Sequence, residues 1–152
     1  MIRISRMADY ALLVVFKMRS FDELITLSRL CELTNLSLPT IRKLMRALTQ
    51  SNVVKSVRGS RGGYKLSSQP DQTSIAEVIE AIDGPIALTE CAKSNGGDCQ
   101  IANTCELKEN WNIVNRLISD ALHNVTIDAM GNMPIDTKQL QSSLIRLPNQ
   151  TK

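Results

Sequence analysis

The amino-acid sequence predicts a mainly α-helical protein, a winged helix-turn-helix with one small β-hairpin wing and a long dimerisation helix. Three observations carry this expectation. Apolar residues recur at helical spacing in the first 50 residues and again around 104–124. Between them, residues 53–67 read as two short strands around the glycine-rich turn GSRGG. The third observation is charge. From Pro39 through Lys65 there are seven cations (Arg42, Lys43, Arg46, Lys55, Arg58, Arg61, Lys65) and no acidic residue, although the chain carries 15 Asp and Glu and a net charge of only +3. A solvated face usually mixes both signs, so a one-sign block of this size is the footprint expected for phosphate contact.

The elements follow in order. Met7, Tyr10, Ala11, Val14, Val15 and Met18 mark a helix from about Arg6 to Arg19, capped by Ser5 and with Asp9 in its first turn. A second helix spans Leu27–Leu33 behind the cap Thr26, with Arg29 and Glu32 outward and Cys31 read as a small buried core residue. Thr34–Ser37 is short and polar enough for a tight turn. Pro39 then suits the first turn of a third helix that runs to about Gln50. That helix buries Ile41, Leu44, Met45 and Leu48 and presents Thr40, Arg42, Lys43 and Arg46. A short turn between two helices, the second basic on its free face, is the helix-turn-helix layout.

Strands at Val53–Arg58 and Tyr64–Ser67 form the wing. Glycine lets a backbone approach a groove closely, and Arg58 and Arg61 flank the turn, which favours a DNA-contacting wing over an ordinary glycine-rich turn. Ser74 and Glu77 make a capping box for a helix that ends at Asp83–Gly84–Pro85. Further on, Trp111, Val114, Leu117, Ile118, Ala121, Leu122 and Val125 predict a last long helix, from about Thr104 to Asn124. At the standard rise it would be about 30 Å long. Its stripe exceeds what a small winged helix can cover, so it is read as a dimerisation helix; the plainer alternative packs it on the N-terminal helix. The expected organisation is 1–84 for DNA binding, 85–105 for a cysteine segment, 106–130 for the dimerisation helix and 131–152 for a weakly ordered tail, with a short helix conceivable at Asp136–Leu147.

The cysteine segment CAKSNGGDCQIANTC places Cys91, Cys99 and Cys105 within 15 residues. Structural zinc sites favour two to four residues between paired cysteines. The gaps of seven and five here suit a loop folded over a larger inorganic core, with the Asn95–Gly97 backbone turned toward bridging sulfides. Three thiolates leave one metal position to a weaker ligand, and lability suits a sensor. A disulfide would strand one cysteine, and a catalytic cysteine would lack a base, because the single histidine, His123, is remote in sequence. The early run ALLVVF is broken by Lys17 and Arg19, and no stretch reaches the ~18 apolar residues of a membrane span. The expectation is therefore a cytoplasmic regulator, not an enzyme, with no membrane or small-molecule substrate as partner. A zinc site or a thiol redox switch remains the alternative to a cluster, and a small cysteine-dependent enzyme or cluster-transfer scaffold ranks below both.

The opening MIRISRMADYAL, the segment LSLPTIRKLMRALTQSNVVKSVRGSRGGYKLS, the phrase VIEAIDGPIALTEC, the three cysteines and the following Trp111 together resemble the iron–sulfur-sensing winged-helix regulators of the IscR and NsrR group, nearest to those controlling SUF cluster-assembly operons. The resemblance covers about residues 1–130. It implies a homodimer bound to a double-stranded DNA operator and an iron–sulfur cluster, [2Fe-2S] or [4Fe-4S]. It places Pro39, Thr40, Arg42 and Lys43 on the recognition-helix contacts, Arg58–Gly59 on the wing contact, and Cys91, Cys99 and Cys105 on the cluster ligands. Arg46 and Arg61 join the DNA-facing set from the residue reading. The chain departs from the IscR pattern in its longer first gap and in Lys108, which stands three after the third cysteine, where a histidine ligand would sit. In NsrR-like members an acidic residue of the partner subunit supplies the fourth ligand, and Asp9 sits at that position; an acidic residue in a first helical turn is equally explained by the helix dipole. Glu90 and Glu106 are lesser ligand candidates.

Overall fold

A computed structural model describes residues 3–93, 99–101 and 103–132. Among these residues the helices are α1 (Arg6–Met18), α2 (Leu27–Thr34), α3 (Leu38–Gln50), α4 (Ile75–Asp83), α5 (Lys108–His123) and α6 (Ile127–Gly131). The strands β1 (Val54–Val57) and β2 (Gly63–Leu66) form one antiparallel hairpin. The architecture is the mainly helical winged helix-turn-helix that the sequence predicts. No helix among the described residues is long and apolar enough to cross a membrane.

Local chemistry explains where most helices start. Ser5, Thr26, Ser37, Ser74 and Thr126 each accept a backbone N–H of the following first turn, satisfying a donor that has no partner within the helix. At α4 the box is complete, because Glu77 also accepts the Ser74 N–H at 2.7 Å. Between α2 and α3 the chain turns at Asn35, whose φ of 56° is left-handed, a conformation asparagine tolerates better than most residues. Cys31 on α2 is half-buried against the core rather than fully buried, because Leu30 and Thr34 take the innermost positions of that short helix.

The core joins α1, α3, the base of the hairpin and α4 through Val14, Val15, Met18, Ile41, Leu44, Leu48, Val54 and Val78, all at 1% exposure or less. β2 is flanked on its far side by Ile25, which exchanges two 2.9 Å backbone bonds with Tyr64. At the wing tip Gly59 has φ 120°, open to glycine alone without strain, and a Cβ at Gly62 would collide with the Val57 carbonyl.

The C-terminal part differs from the sequence expectation. The last long helix begins at Lys108, not Thr104, and ends at His123; its 16 residues span about 24 Å rather than about 30 Å. The segment 106–130 is therefore two helices. Val125 lies between them and is buried; its carbonyl accepts the Ile75 N–H at 2.9 Å, while Ile127 N–H donates to Thr73 at 2.8 Å. These bonds, with the Ser74–Thr126 bridge, return the chain to the start of α4. Arg19 holds α6 from the other side through a 3.2 Å ion pair with Asp128. The proposed helix at Asp136–Leu147 and the Asn95–Gly97 turn lie outside the described residues.

Candidate functional site

Two surfaces carry the chemistry. The first is built by α3 and the hairpin. Burial of Ile41, Leu44, Met45 and Leu48 forces the remaining face of α3 outward, so that Pro39, Arg42, Lys43 and Arg46 are exposed. Thr40 is half-buried, its hydroxyl 2.9 Å from that of Ser37 at the cap. Arg42 and Arg46 line an open groove whose other wall is Ser56 and Tyr64 of the hairpin, so α3 and the hairpin form one continuous surface. At the tip Arg58, Gly59 and Arg61 are all exposed.

All seven cations of the basic block are exposed, and none has a carboxylate within ion-pairing distance among the described residues. Elsewhere exposed cations do find partners, as in Arg29–Glu32 at 2.8 Å. Positive charge left uncompensated by the protein itself is what a polyanion can neutralise with release of counterions.

The second surface is the connection from α4 to α5. Gly84, with φ 83°, ends α4, and its N–H reaches the Glu80 carbonyl. The chain then passes Ile86–Leu88, which Asn115 of α5 grips at both ends: Leu88 N–H donates to Asn115 Oδ1 at 2.9 Å and Asn115 Nδ2 donates to the Ile86 carbonyl at 3.0 Å. Three residues later a 3₁₀ turn, Glu90–Ala92, carries Cys91, whose sulfur lies 3.2 Å from the Thr89 hydroxyl. Cys105 lies just before α5 and accepts the Lys108 N–H at 3.3 Å. Cys91, Cys99 and Cys105 are free thiols, each half-buried.

Among the described residues no three His, Cys, Asp or Glu side chains converge closely enough to hold a metal ion. The donor chemistry nevertheless fits an iron–sulfur core: three free, half-buried thiols on one connection. Asp9 is exposed on the first turn of α1, where only its backbone N–H is engaged, to Ser5. Glu90 is occupied by Lys93, and Glu106 is exposed. His123 faces Glu80 of α4 at 3.8 Å.

Sequence reasoning missed Asn115. It is a polar residue within an apolar stripe, which is the available signal, but its partners lie 27 and 29 residues away. The plainer alternative for α5, packing on the N-terminal helix, is also corrected: α5 packs on the 3₁₀ turn Glu90–Ala92 and on α4. Trp111, Ile113 and Val114 stay 38–40% exposed, and no residue of α5 is buried.

A helix-turn-helix, a wing carrying arginines and an unpaired basic face define a winged-helix transcriptional regulator. The chain belongs to the Rrf2 family, "Iron-dependent Transcriptional regulator", which its residues 4–132 match. Among curated proteins it is 32% identical over 119 residues to the HTH-type transcriptional regulator IscR of Vibrio parahaemolyticus, covering 78% of this chain and 68% of that one. It is 28% identical over 150 residues to IscR of Erwinia tasmaniensis, covering 96% and 86%. Among solved structures it is similar to CymR, the global cysteine regulator of B. subtilis, with TM-score 0.64 and 26% identity over 84% of this chain and 95% of that one. T. potens IscR shares the fold at TM-score 0.62 and 23% identity, covering 85% of each chain. These relatives are regulators, not enzymes.

Proposed function

We propose that the protein is a homodimeric regulator that binds an operator through α3 and the wing and carries an iron–sulfur cluster on Cys91, Cys99 and Cys105. Pro39, Thr40, Arg42, Lys43 and Arg46 would face the major groove, and Arg58, Gly59 and Arg61 the adjacent minor groove. The exposed Trp111, Ile113 and Val114 would form the seam between two copies of α5. Asp9 of the partner subunit would supply the fourth cluster ligand. The observation that carries this reading is one chain holding both an unpaired basic winged face and three free thiols clustered on the connection into α5.

A bound cluster supplies a change of charge and coordination when it is oxidised or lost. Asn115 would carry part of that event toward the DNA-binding half, since it ties residues 86–88, which lead to Cys91, onto α5. Only a difference in affinity between two arrangements can shift DNA binding. Genes for cluster assembly are the targets that the SUF likeness suggests.

The test is the visible spectrum of anaerobically purified protein, with iron, acid-labile sulfide and operator affinity assayed on the same sample. Coloured protein bleached by Cys99→Ala, with altered DNA affinity, supports the reading. Normal iron and sulfide in the triple alanine variant of Cys91, Cys99 and Cys105 sinks the ligand assignment. A second reading, a zinc or thiol switch, is favoured by the three cysteines standing as free thiols. It predicts colourless protein whose DNA affinity still responds to zinc removal or thiol oxidation.

A further inference from the structure

We propose that the outer face of the wing is a second phosphate-binding surface, where Lys55 and Lys65 hold the DNA backbone on the side of the hairpin away from α3. The proposal rests on the DNA-binding reading above and adds a contact to it.

In the β1–β2 register Lys55 stands directly opposite Lys65, and both are exposed. Side chains alternate along a strand, so the neighbouring pair Ser56 and Tyr64 points to the other face, where it lines the groove with Arg42 and Arg46. Like charges directly opposite each other weaken a hairpin. Neither ammonium has a hydrogen-bond or ion-pair partner among the described residues, so no such bond there offsets that repulsion. A bridging anion would.

The surroundings agree with an anionic occupant. The two lysines open on a cleft of about 440 Å³ whose walls also include Arg19, Asp22, Ser67 and Gln69. Arg19 is engaged with Asp128, and Asp22 is the only acidic residue of that lining. The hydroxyl of Ser67 is buried and is the only such side-chain atom among the described residues without a hydrogen-bond partner.

A wing in a minor groove is flanked by a phosphate strand on each side. The α3 side has Arg42 and Arg46, and the far side has the lysine pair. Phosphate contacts of this kind fix position without reading sequence.

The experiment measures affinity of the full chain against salt concentration, on a duplex isolated by in vitro selection with the wild-type protein and on a scrambled one. Lys55→Gln and Lys65→Gln are each expected to lower the slope of log affinity against log salt by about 0.9, while the preference for the selected duplex is kept. Both variants relieve repulsion, so their melting temperatures are expected to hold or rise, which separates lost contact from misfolding. Slopes equal to wild type overturn the proposal. So does stabilisation by free inorganic phosphate that the variants lose while their slopes stay unchanged, because the cleft would then serve a free anion. A wild-type chain that binds no duplex overturns the DNA-binding reading itself.

Discussion

The winged half and the cysteine half of this chain are built to different standards of completeness. In the winged half every helix has a Ser or Thr cap, and a continuous core holds side chains with almost no exposure. In the other half α5 has no side-chain cap, buries no residue of its own and leaves Trp111 exposed, and the three thiols are unpaired. The difference teaches which half can hold its shape alone. The surface proposed to read DNA is preformed; the cysteine arm has few buried contacts among the described residues, and a region short of contacts is one whose arrangement a ligand can change.

Three substitutions would break or sharpen that contrast. The largest effect is expected from Leu44→Ala, which opens a cavity in the core under α3 and is expected to cost about 3–5 kcal/mol in urea unfolding. Stability unchanged within error would mean that the winged half is not the rigid one. Next, Trp111→Ala is expected to weaken dimerisation by about 2 kcal/mol, roughly a 30-fold rise in dimer Kd by sedimentation equilibrium, with little change in the subunit's own fold. A dimer as tight as wild type would place the seam elsewhere. The smallest effect is expected from Asn115→Leu, which removes both bonds to Ile86 and Leu88 at a cost of about 1–2 kcal/mol. Hydrogen exchange at the Leu88 amide is expected to accelerate while amides of α3 stay protected; uniform acceleration would show that the arm and the head open as one unit.

The winged half was largely legible because its determinants are local. Caps act within three residues, the hairpin is set by its own turn, and the faces of α3 follow from a single period. The arm was legible only as composition. Three cysteines announce metal or redox chemistry, yet their spacing says nothing of how Asn115 ties the segment to α5. Val125 illustrates the limit well: it falls on the helical period of the stripe, but it sits beyond α5, where its carbonyl pairs with Ile75. Periodicity records an apolar face, not which element, if any, covers it. Thr104–Leu107 fails for a related reason, since a polar stretch adjoining a periodic run carries no stop of its own.

The return of residues 125–127 to the start of α4 fixes one end of α5. The fixed end is pinned by backbone bonds to Thr73 and Ile75, at the floor of the DNA-reading head. Cys105 sits at the opposite end. A strut of about 24 Å held this way is a cantilever: a rotation of about 5° at the root corresponds to about 2 Å of travel at the tip. Leverage runs in both directions, so in the proposed dimer a shift at the cysteines small enough to need no unfolding would change the angle at which each head leaves the dimer axis. Half-site spacing on DNA is sensitive to that angle.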